Sequence, residues 1–231
     1  MHAFYISSLL PEIKRLFLSE EESKHACRVM RLKIGDIVEL LDGKGGRYEA
    51  KIMSDHPKKC EVEVINYKKE LPQPFDIHIA IAPTKNADRI EWFLEKAIEL
   101  GLTKFSLIQT DRGERKQMKT DRLEKIAIAA MKQSHRTYLP EIEGLQSFKD
   151  FVKKYPKGGI AHCEEFKSQS LSEVAEHTNF PILIGPEGDF TPNEIQNALN
   201  SGYISLALGK TRLRTETAGL YAVTILKSKF E

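Results

Sequence analysis

A change of pattern around Leu71-Pro72-Gln73-Pro74 constrains the fold of this chain more than any other feature. Before it, short stretches alternate apolar and polar residues, and after it apolar stretches alternate with longer amphipathic ones. Two prolines separated by one residue cannot continue a central strand, because proline lacks the backbone N–H that the sheet requires. We therefore predict a linker at 71–74 between two domains, which cover residues 1–70 and 75–231.

The first domain is predicted to be a small β-barrel with one helix. Ser19 and Glu22 form the S-x-x-E pattern of a capping box, which predicts a helix that continues to about Val29. The glycine-rich stretch from Asp42 to Gly46 suits a hairpin turn. Alternating apolar residues predict strands at 36–42, 47–53 and 60–67. Short strands at this spacing are typical of barrels.

The second domain alternates strands with helices. Apolar stretches predict strands at 77–83, 105–111, 158–164, 180–186 and 203–209. Amphipathic stretches predict helices at 87–101, at about 120–134 and at 191–202, and a last helix after Thr215. Strands and helices that alternate in this way form a mostly parallel sheet covered on both faces, so the predicted fold class is α/β.

Composition excludes several classes of protein. The chain has 35 Lys and Arg against 33 Asp and Glu, so a nucleic-acid surface would have to come from local clustering of charge. Three widely spaced cysteines argue against a disulfide framework or a zinc ribbon, and the seven histidines show no H-E-x-x-H pattern. We find no apolar run of membrane-spanning length and no secretory signal, so we expect a cytoplasmic protein with no membrane partner and no metal.

The sharpest local pattern lies between Ile184 and Glu194, where an apolar strand runs into a Gly-Pro-Glu-Gly loop. Thr191 and Glu194 then predict a capped helix whose first residue is Pro192. Glycines at the carboxyl end of a strand let the backbone approach a ligand, which open α/β sheets usually bind at that edge. An ordinary strand-to-helix turn with a good cap is the alternative interpretation.

A second polar loop lies between the strand at 203–209 and the last helix. Its Gly209-Lys210-Thr211 imitates the end of a phosphate-binding P-loop, but Ile204 stands where that motif requires glycine. Thr215 as an N-cap and Glu216 as a first-turn acid would be a purely structural interpretation. That interpretation leaves Arg212 and Arg214 unexplained, because cations at the start of a helix face its positive end. A bound anion or polar ligand would explain them.

Basic residues cluster between Arg112 and Arg136. This segment carries eight cations and three acids, a net charge of +5 in a chain whose total is only +2. Such a segment can bind phosphates, although a solvated helix face is the common alternative.

Taken in order, these patterns resemble the ribosomal RNA small subunit methyltransferase E family, a member of the SPOUT class. The resemblance covers nearly the whole chain, with Asp189, Thr211, Arg212, Ile98 and His135 as departures from the usual pattern. The matching pieces are His25, Val29-Met30-Arg31 and Gly35-Asp36, then 85–89, 95–101, 133–136 with Pro140, the Gly-Pro-Glu-Gly loop and the Leu208–Ala218 loop.

The resemblance implies a PUA-like barrel followed by a SPOUT-type parallel sheet whose C-terminal chain forms a deep trefoil knot. It also implies a homodimer that methylates N3 of a uridine in 16S rRNA, with the assembled 30S subunit as the expected substrate. S-adenosylmethionine would be the methyl donor, without a metal. A non-catalytic RNA-binding protein acting in ribosome assembly is the alternative.

The resemblance also assigns roles to residues of this chain. Arg214 and Glu216 are the predicted catalytic pair. The predicted cofactor-binding residues are His162, Cys163, Ile184, Gly185, Glu187, Gly188, Leu208, Gly209 and Leu213. The predicted RNA-binding residues are Arg28, Arg31, Lys85, Arg89, Arg112, Arg115, Lys116, Lys119, Arg136 and Arg212.

Overall fold

The computed structural model describes residues 1–164, 167–174 and 180–229. The chain divides into two compact units. The first comprises Met1–Pro72 together with Met131–Leu139, and the second comprises Gln73–Ala130 together with Pro140–Glu231. The division between the units falls within the proline-containing segment, and the first unit also takes in a stretch that lies far along the sequence.

The first unit contains a five-stranded sheet in the order β1-β3-β4-β5-β2. Its strands are β1 Ala3–Tyr5, β2 Arg15–Phe17, β3 Ile37–Leu41, β4 Gly46–Ser54 and β5 Glu61–Lys69. The β1–β3 pair is parallel, and the other pairs are antiparallel. The three strands predicted between residues 36 and 67 are confirmed. At three residues each, β1 and β2 are too short to show an alternating pattern.

The predicted helix of the first unit is α1 Glu20–Lys24, continued by one π-helical turn at His25–Val29. Ser19 Oγ accepts a hydrogen bond from Glu22 N at 3.2 Å, as a capping residue should. The Glu22 carboxylate forms an ion pair with Lys132 at 2.6 Å. This pair ties α1 to the 131–139 segment of the same unit.

A network around the buried carboxylate of Glu39 holds the 131–139 segment. His135 Nδ1 lies 2.6 Å from Glu39 Oε2, and the Arg47 guanidinium forms an ion pair with the same carboxylate. Thr137 Oγ1 donates to Glu70 at 2.9 Å. His135 has a left-handed backbone with φ 53°, a conformation that costs less for glycine.

The second unit contains a seven-stranded sheet in the order β10-β12-β9-β11-β6-β7-β8, and each of its pairs is parallel. The strands are β6 His78–Ile81, β7 Lys104–Gln109, β8 Glu141–Ser147, β9 Gly158–Ala161, β10 Gln169–Ser170, β11 Ile182–Ile184 and β12 Tyr203–Ala207. The helices are α2 Ala87–Glu99, α3 Thr120–Gln133, α4 Phe148–Lys154, α5 Leu171–Val174, α6 Pro192–Asn200 and α7 Thr215–Ser228. The last three residues of α3 belong to the first unit. The predicted α/β class with a parallel sheet is confirmed.

Local sequence explains most of these boundaries. Asn86 caps α2 by accepting from Asp88 N at 3.0 Å, and α6 has the complete capping box of Thr191 and Glu194. The N-cap of α7 is Arg214 and not Thr215, so the structural interpretation of Thr215 was wrong by one residue. The sequence analysis missed β8, α4, β10 and α5, because short or charged elements give little periodic signal.

Candidate functional site

Three adjacent strands of the second unit, β11, β9 and β12, end at the same edge of the sheet and open into one cleft. The cleft has a volume of about 800 Å³. Its walls are the loops that follow these strands, together with the first turn of α7. The predicted cofactor-binding residues that line it are His162, Cys163, Ile184, Gly185, Glu187, Leu208, Gly209 and Leu213.

Two glycines shape the backbone of the cleft. A Cβ on Gly185 would lie 3.1 Å from the Phe190 ring and 3.2 Å from Asp189 Oδ1, so these side chains would have to shift by a few tenths of an ångström to admit one. Gly209 has φ +135°, which side-chain-bearing residues rarely adopt, although a Cβ at this position would meet no atom within 4 Å. The surroundings of Gly185 are therefore tight for a side chain, whereas the backbone conformation of Gly209 favours glycine.

The loop after β9 forms a second wall. His162 Nε2 lies 2.7 Å from Ser205 Oγ on β12, which fixes the imidazole beside the cleft. Burial lowers the pKa of His162, so the ring is neutral at pH 7. Cys163 N donates to Asp189 Oδ2 at 2.7 Å. Burial, followed by the Asp189 charge, raises the pKa of the Cys163 thiol and disfavours its reactive thiolate form.

Gly188 was predicted to bind the cofactor but does not line the cleft. It is exposed and lies next to the Arg112 side chain. Arg112 Nη1 donates to the carbonyl oxygens of Gly188 at 2.9 Å and Phe190 at 3.3 Å. It also lies 3.7 Å from Glu164 Oε1. Arg112, predicted to bind RNA, is thus engaged in holding the loop after β11.

The predicted catalytic residues have different surroundings. Arg214 and Arg212 are exposed and line the cleft. Glu216 is buried outside the cleft lining, and its Oε1 lies 3.8 Å from Arg89 Nε on α2. Among the described residues, Glu216 Oε2 has no hydrogen-bond partner. The structure therefore pairs Glu216 with Arg89, a predicted RNA-binding residue, and not with Arg214.

Several predicted RNA-binding residues lie on the irregular segment before α3. Arg115 Nε donates to Thr84 O at 3.0 Å, and its Nη2 donates to Lys85 O at 2.5 Å. The Lys85 ammonium forms an ion pair with Glu114 at 3.1 Å. Lys116 and Lys119 are exposed. Lys116 and Lys119 therefore present their charge to solvent more freely than the arginines of this segment do.

The remaining predicted RNA-binding residues belong to the first unit. Arg28 and Arg31 are exposed, and Arg31 has a left-handed backbone with φ 56°. Arg136 is half-buried, and burial lowers the pKa of its guanidinium. Arg136 is consequently less available to a phosphate than the sequence pattern suggested.

Asp189, Ser205 and Ser168 had no predicted role in the cleft. Ser168, Glu164 and Asp189 line it, and Ser205 Oγ joins His162 to Ser168 Oγ, which lies 2.6 Å away. Asp189 could have been found, because it directly follows the Gly-Pro-Glu-Gly loop. No sequence signal marks Ser205, which is one polar residue in an otherwise apolar strand.

Throughout the described ranges, no three His, Cys, Asp or Glu side chains come together as metal ligands would. None of the helices within residues 1–164, 167–174 and 180–229 has the length and apolar character needed to span a membrane.

Comparison with known proteins yields consistent matches. A family profile described as an RNA methyltransferase domain matches residues 71–227, and one described as an RNA methyltransferase PUA domain matches residues 18–65. The ribosomal RNA small subunit methyltransferase E of Synechocystis is 32% identical over an alignment covering 88% of this chain and 70% of its own.

Solved structures agree over the full length. A probable rRNA-methyltransferase from Porphyromonas gingivalis is 35% identical, with a TM-score of 0.86 and coverage of 100% of both chains. The ribosomal RNA small subunit methyltransferase E of Neisseria gonorrhoeae, in a crystal structure bound to S-adenosyl methionine, is 25% identical. Its TM-score is 0.89, with coverage of 99% of this chain and 97% of its own.

Proposed function

This chain belongs to the ribosomal RNA small subunit methyltransferase E family, and from this membership we propose that it methylates N3 of a uridine in 16S rRNA with S-adenosylmethionine as the methyl donor. The observation that carries the proposal is the convergence of the Gly-Pro-Glu-Gly loop and the Arg214 loop on one cleft. A protein that only binds RNA would have no need of that cleft.

The residues of the cleft fit S-adenosylmethionine. A volume of about 800 Å³ lies in the range of sites for ligands of this size. Ile184, Leu208 and Leu213 provide apolar contacts for adenine and ribose, and Gly185 and Gly209 let backbone N–H and C=O groups come close. Cys163 would contribute through its side chain or carbonyl, since its N–H is bonded to Asp189.

Arg214 is proposed to act on the uracil. S-adenosylmethionine supplies a methyl group that its sulfonium charge already activates, so no covalent enzyme intermediate is required. The tasks left to the protein are to orient the base and to ease loss of the N3 proton. An exposed guanidinium that lines the cleft can stabilise the negative charge that grows on O2 or O4 of uracil as the proton leaves.

Glu216 is proposed to act with Arg89. Glu216 lies on the first turn of α7, two residues after Arg214. Its carboxylate is buried and lies beside the Arg89 guanidinium. This arrangement favours a positioning role, in which the pair fixes the start of α7 and therefore the direction of Arg214. Acceptance of the N3 proton through water is the other role open to Glu216.

We further propose that residues 1–70 bind RNA, in particular through Arg28 and Arg31. The exposed Lys116, Lys119 and Arg212 are proposed to contribute as well. The 16S rRNA within the assembled 30S subunit is the proposed substrate. We also propose a homodimer and a C-terminal trefoil knot, which the family resemblance implies, and the cytoplasmic location that the sequence features favour.

One experiment tests the activity and its position together. The purified protein is incubated with 30S subunits that lack the modification and with S-adenosylmethionine carrying a labelled methyl group, and the labelled nucleotide is mapped. We expect label on N3 of a single 16S uridine. Label on another atom or another RNA would overturn the specificity. Absence of methylation, together with absence of S-adenosylmethionine binding in a calorimetric titration, would favour a non-catalytic RNA-binding protein.

A further inference from the structure

We propose that Asp189 is a positioning residue that joins the two loops on either side of the cleft and so sets the affinity for the methyl donor. The inference rests on the proposed function, because it assigns a role in binding S-adenosylmethionine. It goes beyond that function by naming a side chain that shapes the cleft from the loop after β11 without being one of the catalytic pair.

The backbone at Asp189 is the first observation. Its φ is 63°, in the left-handed region, where a side chain is strained and glycine is not. Aspartate tolerates this region better than most residues but still less well than glycine. Strain of this kind persists when other contacts hold it, and it tends to lie at functional sites.

The hydrogen bonds of the carboxylate supply those contacts. Oδ2 accepts from Cys163 N at 2.7 Å, and Oδ1 accepts from Phe190 N at 2.7 Å. The first bond crosses from the loop after β11 to the loop after β9, which are adjacent strands. Both oxygens are therefore bonded to backbone N–H groups, which suits a fixed bridge between the loops better than a proton acceptor.

The loop that carries Asp189 is held independently. Arg112 Nη1 donates to the carbonyls of Gly188 and Phe190, the residues on each side of Asp189. Asp189 N itself donates to Pro186 O at 2.9 Å, which closes a turn. Removal of the carboxylate should consequently leave the loop after β11 in place and release the loop at Cys163.

The test uses Asp189→Gly, which removes the bridge and relieves the strain at once. Calorimetric titration with S-adenosylmethionine should give a dissociation constant about tenfold higher than that of the unaltered protein, the effect of losing one charge-assisted hydrogen bond. The Cys163 amide should exchange its hydrogen with solvent faster. The loss of methylation rate should be smaller at saturating donor than at limiting donor, the affinity for RNA should stay within about twofold, and thermal stability should not fall enough to explain the change.

Two further variants separate the explanations. Asp189→Asn keeps one neutral acceptor oxygen and should bind the donor more tightly than Asp189→Gly; equal weakening in the two variants would count against a hydrogen-bonded bridge to Cys163 N. His135→Gly relieves the same kind of strain in the first unit and should leave donor affinity unchanged. Unchanged donor affinity in Asp189→Gly would refute the inference alone, whereas failure of the unaltered protein to bind S-adenosylmethionine would refute the proposed function.

Discussion

At the scale of single residues, the backbone conformation decides which side chains the cleft accepts. Gly209 and Asp189 both have positive φ values, 135° and 63°, yet one is a glycine and the other is not. Gly209 has open space around it, so glycine is favoured there by the backbone conformation and not by packing. Asp189 has two hydrogen bonds that offset the strain, which explains how a residue other than glycine is accommodated there.

Gly209→Ala should weaken donor binding, because the methyl group forces the loop after β12 out of its positive φ. We expect a dissociation constant for S-adenosylmethionine raised by roughly tenfold, the equivalent of about 1–2 kcal/mol of backbone strain. Gly35→Ala is the matched control: Gly35 has φ +98°, also with nothing near a Cβ, and lies in the first unit. Equal donor affinity in both variants would contradict the prediction.

Arg214→Ala should lower the single-turnover rate of methylation about 10²-fold, the scale of losing one preorganised donor to a developing charge. RNA affinity should change much less. Arg212→Ala removes a neighbouring exposed arginine of the same cleft and should weaken RNA binding while keeping the rate at saturating RNA. If saturating RNA restores the rate of Arg214→Ala, Arg214 binds RNA and does not act in the chemical step.

Glu216→Gln separates the two roles of the buried carboxylate. With a positioning role, the single-turnover rate falls at every pH and the shape of its pH profile is retained, because the group being titrated is elsewhere. With a proton-accepting role, the rise of the rate with pH that is due to Glu216 disappears. We expect the first outcome, since Glu216 faces Arg89 at 3.8 Å and lies outside the cleft lining.

At the scale of elements, the parallel sheet separates the candidate site from a buried polar network. The cleft lies where β9, β11 and β12 end, whereas the network lies where β6, β7 and β8 begin. Ser106 Oγ donates to Glu143 Oε2 at 2.7 Å and lies 2.8 Å from His78 Nε2. Ion pairs with Lys104 and Lys154 complete the surroundings of Glu143.

This network makes stability depend on pH. Burial, aided by the charge of Lys104, lowers the pKa of His78 to about 3. Burial alone would raise the pKa of Glu143, but hydrogen bonds from Lys154, Tyr155, Ser106 and Lys104 hold it well below its ordinary value. Both pKa values are depressed by folding, so the unfolded chain binds more protons, and the stabilisation present at neutral pH is lost as the pH falls.

The free energy of unfolding should therefore decrease from about pH 6.5 downward, by up to roughly 1.4 kcal/mol per pH unit for each of these groups that is protonated only in the unfolded chain. His78 acts from its ordinary pKa near 6.5, and Glu143 adds its share below about 4.5. Urea unfolding between pH 7 and 4 measures the slope. His78→Gln should reduce the slope between pH 6.5 and 5, and the exposed His2→Gln should not; equal slopes would contradict the assignment.

At the scale of the whole molecule, the structure shows which cations of the basic segment are already paired within the protein and which are exposed. Of the eight cations between Arg112 and Arg136, Arg122 forms an ion pair with Glu91 at 2.5 Å and Lys132 forms one with Glu22. Arg112 and Arg115 hold backbone carbonyls. The exposed lysines, together with Arg28 and Arg31, are then the better candidates for phosphate contacts.

RNA affinity should depend steeply on salt, because contacts to phosphates release counterions. If roughly 6–10 phosphates are neutralised, the affinity for rRNA should fall about 10³–10⁵-fold between 50 and 200 mM salt. Lys116→Ala and Lys119→Ala should each flatten the slope by about one counterion. Arg122→Ala is the control, since its guanidinium is paired with Glu91. A flat salt dependence of the unaltered protein would contradict an electrostatic RNA surface.

The sequence by itself determined the order of the longer strands and helices, the α/β class, the family and the two glycine-bearing loops of the cleft. Those features depend on periodicity, capping residues and glycines, which act over a few neighbouring positions. The tertiary structure alone decided which partner each charged side chain meets: Glu216 meets Arg89, Arg112 meets the carbonyls beside Asp189, and residues 131–139 join the first unit. These pairings join residues far apart in the chain, so only the packing of distant loops and strands brings them together.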